Sequence, residues 1–378
     1  MSSPFGAEHE ELRSSIRRFV AAELRPHASE WEDARWFPDD VFARMAQLGF
    51  LGLKYPEAYG GQGGDHLHDA VLVEEPARCG SGGLAAGIGA HVGIATPPVW
   101  KFGTEDQKQR YLTPAIAGEK IAALAITEPG AGSDVAAIRT RAQRVDGGWV
   151  VNGEKTYITN GVRAHFLVTA VQTTAQGGHH GISFLIVDRQ EGVTSAKLEK
   201  LGWHASDTAT IAFDDVFVPE ENLLGAEHEG FKLIMANFQW ERLIMALGAV
   251  AGMQGAVDRT LAYARERTAF GRPLTGHQAI RHKLVDLATT VHTCRCVTHD
   301  ALERFHAGEE PVREVTMAKL VTQRAAFDVM DACLQIHGGA GYMREYEIER
   351  MARDARLGPI GGGTDEVMRE ILSKALGI

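Results

Sequence analysis

Apolar and polar positions along the chain fall into three regimes. From Glu8 to Leu24, Leu12, Ile16, Phe19 and Val20 share one side while Arg13, Arg17 and Arg18 fall elsewhere. That spacing predicts an amphipathic helix. Pro38-Asp39-Asp40 opens a second helix, and Thr104-Glu105-Asp106-Gln107 has the form of a capping box. Near Ile121 the pattern changes to short β-branched runs: Trp149–Gly153, Phe166–Val171, Ile182–Val187 and Thr210–Phe213. Asp146-Gly147-Gly148 and Gly177-Gly178 punctuate them. These predict an all-β module, sandwich or barrel. From Phe231 the period is helical again, in a long run to Arg267 and in further runs at Ala301–Phe305 and Val315–Gln335. The expected fold class is α+β: residues 1–120 an all-α domain, 121–230 a β domain, and 231–378 a helical bundle. No strand–helix alternation of the doubly wound kind is present, which argues against a nicotinamide dehydrogenase of that architecture.

Composition narrows the partners. The 378 residues are 44% hydrophobic and 23% charged, with a formal net charge of -10. An acidic chain without a basic face is not expected to bind nucleic acid or an anionic membrane. Gly80 to Trp100 lacks Asp, Glu, Lys and Arg, but its six glycines and Pro97-Pro98 fit an interior helix of small residues rather than a membrane span. Four cysteines in a chain of this size suit a reducing, cytoplasmic setting. Cys294 and Cys296 lie two apart on a helix and cannot converge with His292 and His299 on one ion, so no metal site is expected.

Several segments could carry chemistry. Ala125-Ile126-Thr127-Glu128-Pro129-Gly130-Ala131-Gly132-Ser133-Asp134 offers backbone N–H groups and hydroxyls to a flat ligand, though an ordinary junction turn reads equally well. Tyr157 and Thr159 alternate onto one strand face, an aromatic beside a hydroxyl. Glu241 lies between Phe238 and Met245 at helical spacing, on an apolar stripe. A carboxylate there is desolvated, which raises its pKa toward that of a working base; an ion pair with Arg242 is the structural alternative. Arg265, Arg267 and Arg272 cluster at a helix end, as phosphate ligands or as a solvated terminus. Gln335-Ile336-His337-Gly338-Gly339 ends a helix in a glycine turn, as a ligand contact or a plain stop, and Gly361-Gly362-Gly363-Thr364-Asp365-Glu366 precedes a helix start where an anion or oxyanion can sit.

Together, and in this order, these segments resemble the acyl-CoA dehydrogenase family. The resemblance runs from Phe102-Gly103-Thr104-Glu105 to the C-terminus. It is carried by Ala125-Ile126-Thr127-Glu128…Gly132-Ser133-Asp134 and by Gln335…Gly338-Gly339…Gly341-Tyr342…Glu345…Arg350…Asp354. It implies an FAD-dependent enzyme that desaturates an acyl-CoA thioester and passes its electrons to electron-transfer flavoprotein, in a homotetramer. By the same resemblance Ile126, Thr127, Gly132, Ser133, Tyr157 and Thr159 would surround the isoalloxazine. Arg267, Phe270 and Gln278 would reach the FAD of a neighbouring subunit. Gln335, Gly338, Gly339, Thr364 and Glu366 would hold the adenosine end, with Glu366 where many relatives have Gln. Ser133, Phe238, Arg242 and Gly363 would contact substrate.

One position departs from the common pattern. Where much of the family has a base before Gly-Thr, this chain has Gly362. The isovaleryl-CoA and long-chain subgroups instead put the base in a Glu-Arg-Leu triplet on the long helix, which here is Glu241-Arg242-Leu243. Lys200-Leu201-Gly202-Trp203-His204-Ala205-Ser206-Asp207-Thr208 is also similar to long-chain and citronellyl-type relatives. Glu241 is then the expected base, with Gly362 contributing its backbone N–H and a long or branched acyl chain favoured. An oxidase or hydroxylase on the same scaffold, and a non-catalytic partner chain, are the rival readings.

Overall fold

The computed structural model describes residues 3–378. Its first region is helical: α1 (Ala7–Phe19), α2 (Ala28–Ala34), α3 (Asp40–Gln47), α4 (His66–Glu74), α5 (Gly82–Gly89), α6 (Thr96–Phe102) and the short α7 (Glu105–Gln107) and α8 (Thr113–Ile116). The amphipathic stretch to Leu24 is helical throughout, but widens to a π-helical turn at Val20–Leu24. Side chains set several helix starts. Thr104 accepts from Gln107 N at 3.2 Å while the Gln107 side chain accepts from Thr104 N at 3.0 Å, the reciprocal cap expected from sequence. Ser81 caps α5 and Asp65 caps α4. The uncharged stretch after Gly80 is α5, a π-helical segment over Ala90–Ala95, and α6. Among the described residues no helix is long and apolar enough to cross a membrane.

The middle region is one eight-stranded mixed sheet, ordered β6 (Val193–Lys197), β7 (Ala209–Pro219), β3 (Gly148–Ile158), β2 (Arg141–Val145), β4 (Phe166–Gln172), β5 (Ile182–Asp188), β8 (Leu223–Leu224), with β1 (Ala122–Ala125) parallel to β4. A single parallel pair, Arg141 with Gln172, joins its two halves. Trp149, Val151, Phe213 and Val218 from one half pack on Leu167, Val171, Leu185 and Val187 from the other. The sheet therefore folds over on itself as a sandwich with barrel character. All seven residues of β4 are buried, because its second face (Phe166, Val168, Ala170) packs on the helices. A strand covered on both sides reads as a continuous apolar run, as Phe166–Val171 does.

The last region contains α9 (Gly230–Glu266), a hairpin of β9 (Thr268–Ala269) and β10 (Arg272–Pro273), then α10 (Gln278–His306), α11 (Val312–His337), α12 (Ile348–Ala355) and α13 (Asp365–Leu376). Helix α9 crosses three cores. Leu233 and Ile234 meet the sheet, Leu243 and Leu247 meet Leu302 and Val315, and Val250 and Met253 meet Leu287 and Met330. At about 1.5–3 kcal/mol for each fully buried aliphatic side chain, such contacts fix α9 as the axis of the molecule.

Candidate active site

A cavity of about 810 Å³ runs between α9, α4, α5, α11, α12 and the loops after β1 and β3. Along α9 it touches residues from Phe231 to Gly252, among them Phe238, Glu241, Arg242, Ile244 and Met245. That is one helical stripe from Phe231 to Gly252, about 31 Å at 1.5 Å per residue. Glu241 sits midway along it. On one side the walls are Phe231, Met235 and Phe238 with Ser133 to Ala136. On the other they are small or flexible: Ala77, Gly82, Ala85, Ala86, Met330 and Met351.

The Glu241 Oε2 is shielded from solvent and has no hydrogen-bond partner among the described residues. Burial pushes its pKa up to about 7, with the neighbouring Arg242 acting in the opposite direction. The ion pair that sequence left open does not form. The Arg242 guanidinium lies 5.3 Å from the Phe238 ring centroid, and its Nε–H donates to the Gly362 carbonyl at 3.4 Å.

Gly362 and Gly363 line the cavity beside Arg242. Their φ values, +62° and +97°, lie in the region that glycine tolerates and other residues resist. A Cβ at Gly362 would also stand 2.4 Å from Met245 Sδ, which is one turn along from Glu241. The Met245 thioether therefore occupies the space a loop side chain would need and would have to move aside for one. Gly362 N–H makes no hydrogen bond to a described residue.

The loop after β1 is stapled from beneath. Lys155 Nζ donates to Glu128 Oε1 at 2.7 Å and to the Ile126 carbonyl at 3.0 Å. Glu128 also accepts from Arg139 N at 2.6 Å and Thr140 N at 2.9 Å. Thr156 N donates to the Thr127 carbonyl at 2.8 Å. Neither Lys155 nor Glu128 stood out from the sequence as a support; a buried cation opposite a buried anion on separate segments has no local signature. The staple places Ile126, Thr127, Gly132 and Ser133 on the cavity wall with Tyr157 and Thr159.

The route by which Tyr157 and Thr159 get there differs from the expected one. Simple alternation would put both on one strand face. Instead β3 shifts register between Lys155 and Ile158, Tyr157 adopts φ +60°, and Thr159 lies beyond the strand end. The extra residue in the bulge breaks the period of two, and both side chains reach the same cavity by a turn. Among the described residues the hydroxyls of Thr127, Ser133 and Thr159 have no hydrogen-bond partner, and a Cβ on Gly132 would meet nothing within 4 Å. Unengaged donors around a Tyr, beside an open glycine, suit a planar heteroaromatic ring such as the isoalloxazine of FAD.

The other expected cofactor residues lie elsewhere. Arg267 ends α9, Phe270 is at the tip of the β9–β10 hairpin, and Gln278 begins α10; all three are exposed. Gln335, Gly338 and Gly339 are exposed at the end of α11. Thr364 caps α13, accepting from Val367 N at 3.3 Å, and Glu366 faces solvent. None of these eight lines the cavity.

Models of the acyl-CoA dehydrogenase N-terminal, middle and C-terminal domains match residues 6–119, 123–216 and 228–377. The chain belongs to the acyl-CoA dehydrogenase family. It is therefore a flavoprotein-family oxidoreductase acting on the CH–CH group, of the kind that works in fatty acid metabolism. The crystal structure of an acyl-CoA dehydrogenase from Geobacillus kaustophilus superposes with a TM-score of 0.97 at 40% identity, covering 100% of both chains. The mitochondrial isovaleryl-CoA dehydrogenase of Solanum tuberosum is 36% identical over 98% of this chain and 91% of its own length. The mitochondrial long-chain specific acyl-CoA dehydrogenase of Mus musculus is also 36% identical over 98% of this chain, and 87% of its own.

Proposed function

We propose that the protein oxidises an acyl-CoA thioester to the trans-2-enoyl-CoA, with Glu241 taking the α-proton. The observation that carries this reading is the Glu241 carboxylate, midway along the cavity, unpaired and with its pKa pushed up to about 7. A base poised near neutral pH can remove a proton and release it again. Gly362 N–H would donate to the thioester oxygen as negative charge builds there. One such preorganised donor is worth about 3 kcal/mol in comparable oxyanion sites. Phe238 and Met245 line the cavity one turn to either side of the carboxylate. Ser133, Phe238, Arg242 and Gly363 would hold the thioester end of the substrate.

FAD, when bound, supplies the hydride acceptor for the β-hydrogen. Ile126, Thr127, Gly132, Ser133, Tyr157 and Thr159 would hold its ring. Arg267, Phe270 and Gln278 would reach it from a neighbouring subunit of a homotetramer, and Gln335, Gly338, Gly339, Thr364 and Glu366 would bind the adenosine end. The electrons would leave to electron-transfer flavoprotein.

The same reading favours a long acyl chain. From Glu241 to Gly252 the cavity continues 11 residues along α9, about 16 Å. At roughly 1.2 Å per bond in an extended chain, that accommodates about a dozen carbons.

Glu241→Gln tests the core of the proposal. The variant should retain FAD and bind acyl-CoA, but lose bleaching of the flavin by substrate under anaerobic conditions. A variant that bleaches at the wild-type rate removes Glu241 from the role. Oxygen uptake without an added acceptor would move the protein to the oxidases.

A further inference from the structure

The triple glycine Gly361-Gly362-Gly363 has no side chains with which to hold itself, yet the proposed mechanism asks one of its N–H groups to point steadily at the thioester oxygen. Its own backbone bonds stop short. Gly361 N donates to the Leu357 carbonyl at 2.9 Å, and Asp365 N donates to the Pro359 carbonyl at 3.0 Å. The peptide between Gly361 and Gly362, which carries the Gly362 N–H, has no bond of its own to a described residue. Because a peptide is planar, its orientation follows from its two neighbours. Glycine on both sides leaves a flip of that plane sterically open.

Two cations hold the C-terminal neighbours. Arg242 Nε–H donates to the Gly362 carbonyl. Lys319, on α11, donates from Nζ to the Gly363 carbonyl. Lys319 is completely buried; the carboxylates of Asp365 and Glu366 attract its ammonium, but neither forms an ion pair with it among the described residues. A buried ammonium without a direct carboxylate partner is costly, so its one hydrogen bond, to the Gly363 carbonyl, is more than incidental packing. Lys319 does not line the cavity. It lies apart from Glu241 and from the wall formed by Thr127, Ser133, Tyr157 and Thr159.

The geometry points to Lys319 as a positioning residue that, with Arg242, clamps two successive carbonyls of the triple-glycine loop and so keeps the Gly362 N–H turned into the cavity. The inference rests on the reading of Gly362 as oxyanion donor. It adds that this donor is preorganised from α11, behind the loop, rather than by the loop itself.

The test uses the FAD-loaded enzyme and a 3-thiaacyl-CoA, whose α-proton can be lost but which cannot complete the oxidation. Its ionisation on the enzyme appears as a long-wavelength charge-transfer band, and the pH midpoint of that band reports stabilisation of the oxyanion. Lys319→Met keeps length and burial without the donor. It should raise the midpoint by about one pH unit and lower kcat about tenfold, part of what loss of a whole donor costs. KM and the melting temperature should change little. Lys319→Gln, which restores a donor, should recover part of both effects. An unchanged midpoint and kcat in Lys319→Met overturns the inference. If Lys319→Met does not fold, Lys319→Leu, which also lacks the donor, decides: a carbonyl stretch of the bound thioester identical to wild type overturns it, and a shift to higher frequency supports it. Glu241→Gln, run alongside, separates the two ideas. If that variant still ionises the analogue, the base assignment fails whatever Lys319 does.

Discussion

At the level of single residues, Glu241 is distinguished by what it lacks. Its neighbour Arg242 is committed to Phe238 and to the Gly362 carbonyl, so no cation neutralises the carboxylate. Its pKa, raised by burial to about 7, makes a kinetic prediction with a definite sign. Below the midpoint Glu241 already holds a proton and cannot accept another. The rate of flavin bleaching by acyl-CoA should therefore fall about tenfold per unit as pH drops below about 7. Rapid mixing across about pH 5.5 to 8.5 measures it, and a flat profile excludes Glu241 as the titrating base. Stability should run the other way. The folded-state pKa lies above the usual 4.5, so the folded chain holds the extra proton between about 4.5 and 7, and ionisation costs stability as pH rises through that window. Glu241→Gln should accordingly melt above wild type at about pH 8, and the gap should close toward about pH 4. Periodicity singled out Glu241 because a helix repeats regularly. It described Tyr157 less well, because a bulge breaks the strand repeat without an obvious mark in the sequence. The contact between Met245 and Gly362 was invisible in the sequence, because it links residues 117 apart in the chain.

At the level of elements, the long helix, the strands and the glycine turns were legible because each has a local period or stop. The extent of α10 was not: the sequence pattern marked Ala301–Phe305, whereas the helix begins at Gln278. Its first turns carry few buried residues, Leu284 and Leu287 among them, so the apolar stripe is thin there. The faces of α5 and α9 that meet at the cavity were also hidden. Their small residues read as an interior helix, but only the packing shows that Gly82, Ala85 and Ala86 stand across the cavity from Gly248 and Gly252. This stripe sets the depth of the proposed acyl arm. A Cβ at Gly252 would make ordinary contacts, 3.7 Å to Met330 Cε and 3.9 Å to the Ala77 carbonyl, so a side chain there is accommodated and extends into the space. Gly252→Leu should therefore shorten the arm without unfolding α9. The expected result is a fall in kcat/KM of more than about tenfold for a sixteen-carbon acyl-CoA, with an eight-carbon substrate nearly unaffected, since each methylene excluded forfeits about 0.8 kcal/mol. An unchanged chain-length profile would mean that the acyl chain does not run along α9.

At the level of the whole molecule, α9 separates the expected cofactor residues into two groups. Glu241 and Arg267 are 26 residues apart on one continuous helix, about 39 Å at 1.5 Å per residue. Arg267, Phe270, Gln278, Gln335, Gly338 and Gly339 therefore gather at the far end of α9, where Tyr263 stacks on His337 with ring centroids 4.3 Å apart. They do not join the cavity of their own chain. Phe270 there is 97% exposed and Tyr342 is 78% exposed. Large aromatics so open to water on neighbouring turns suit a face that something covers. If they complete the cofactor site of an adjacent subunit, FAD binding and assembly are linked: each is stabilised by the other, and dilution weakens both. The apparent Kd for FAD should then rise as protein concentration falls through the dissociation range, followed by sedimentation in parallel. Arg267→Ala combined with Phe270→Ser should weaken assembly and FAD binding together by about tenfold or more, although both positions are remote from the carboxylate. Thr159→Ala, on the cavity wall, should weaken FAD binding while leaving assembly of the FAD-saturated protein intact. A dissociated chain that binds FAD as tightly as the assembled one would place the whole cofactor within a single subunit. The residues at the end of α9 would then need another explanation.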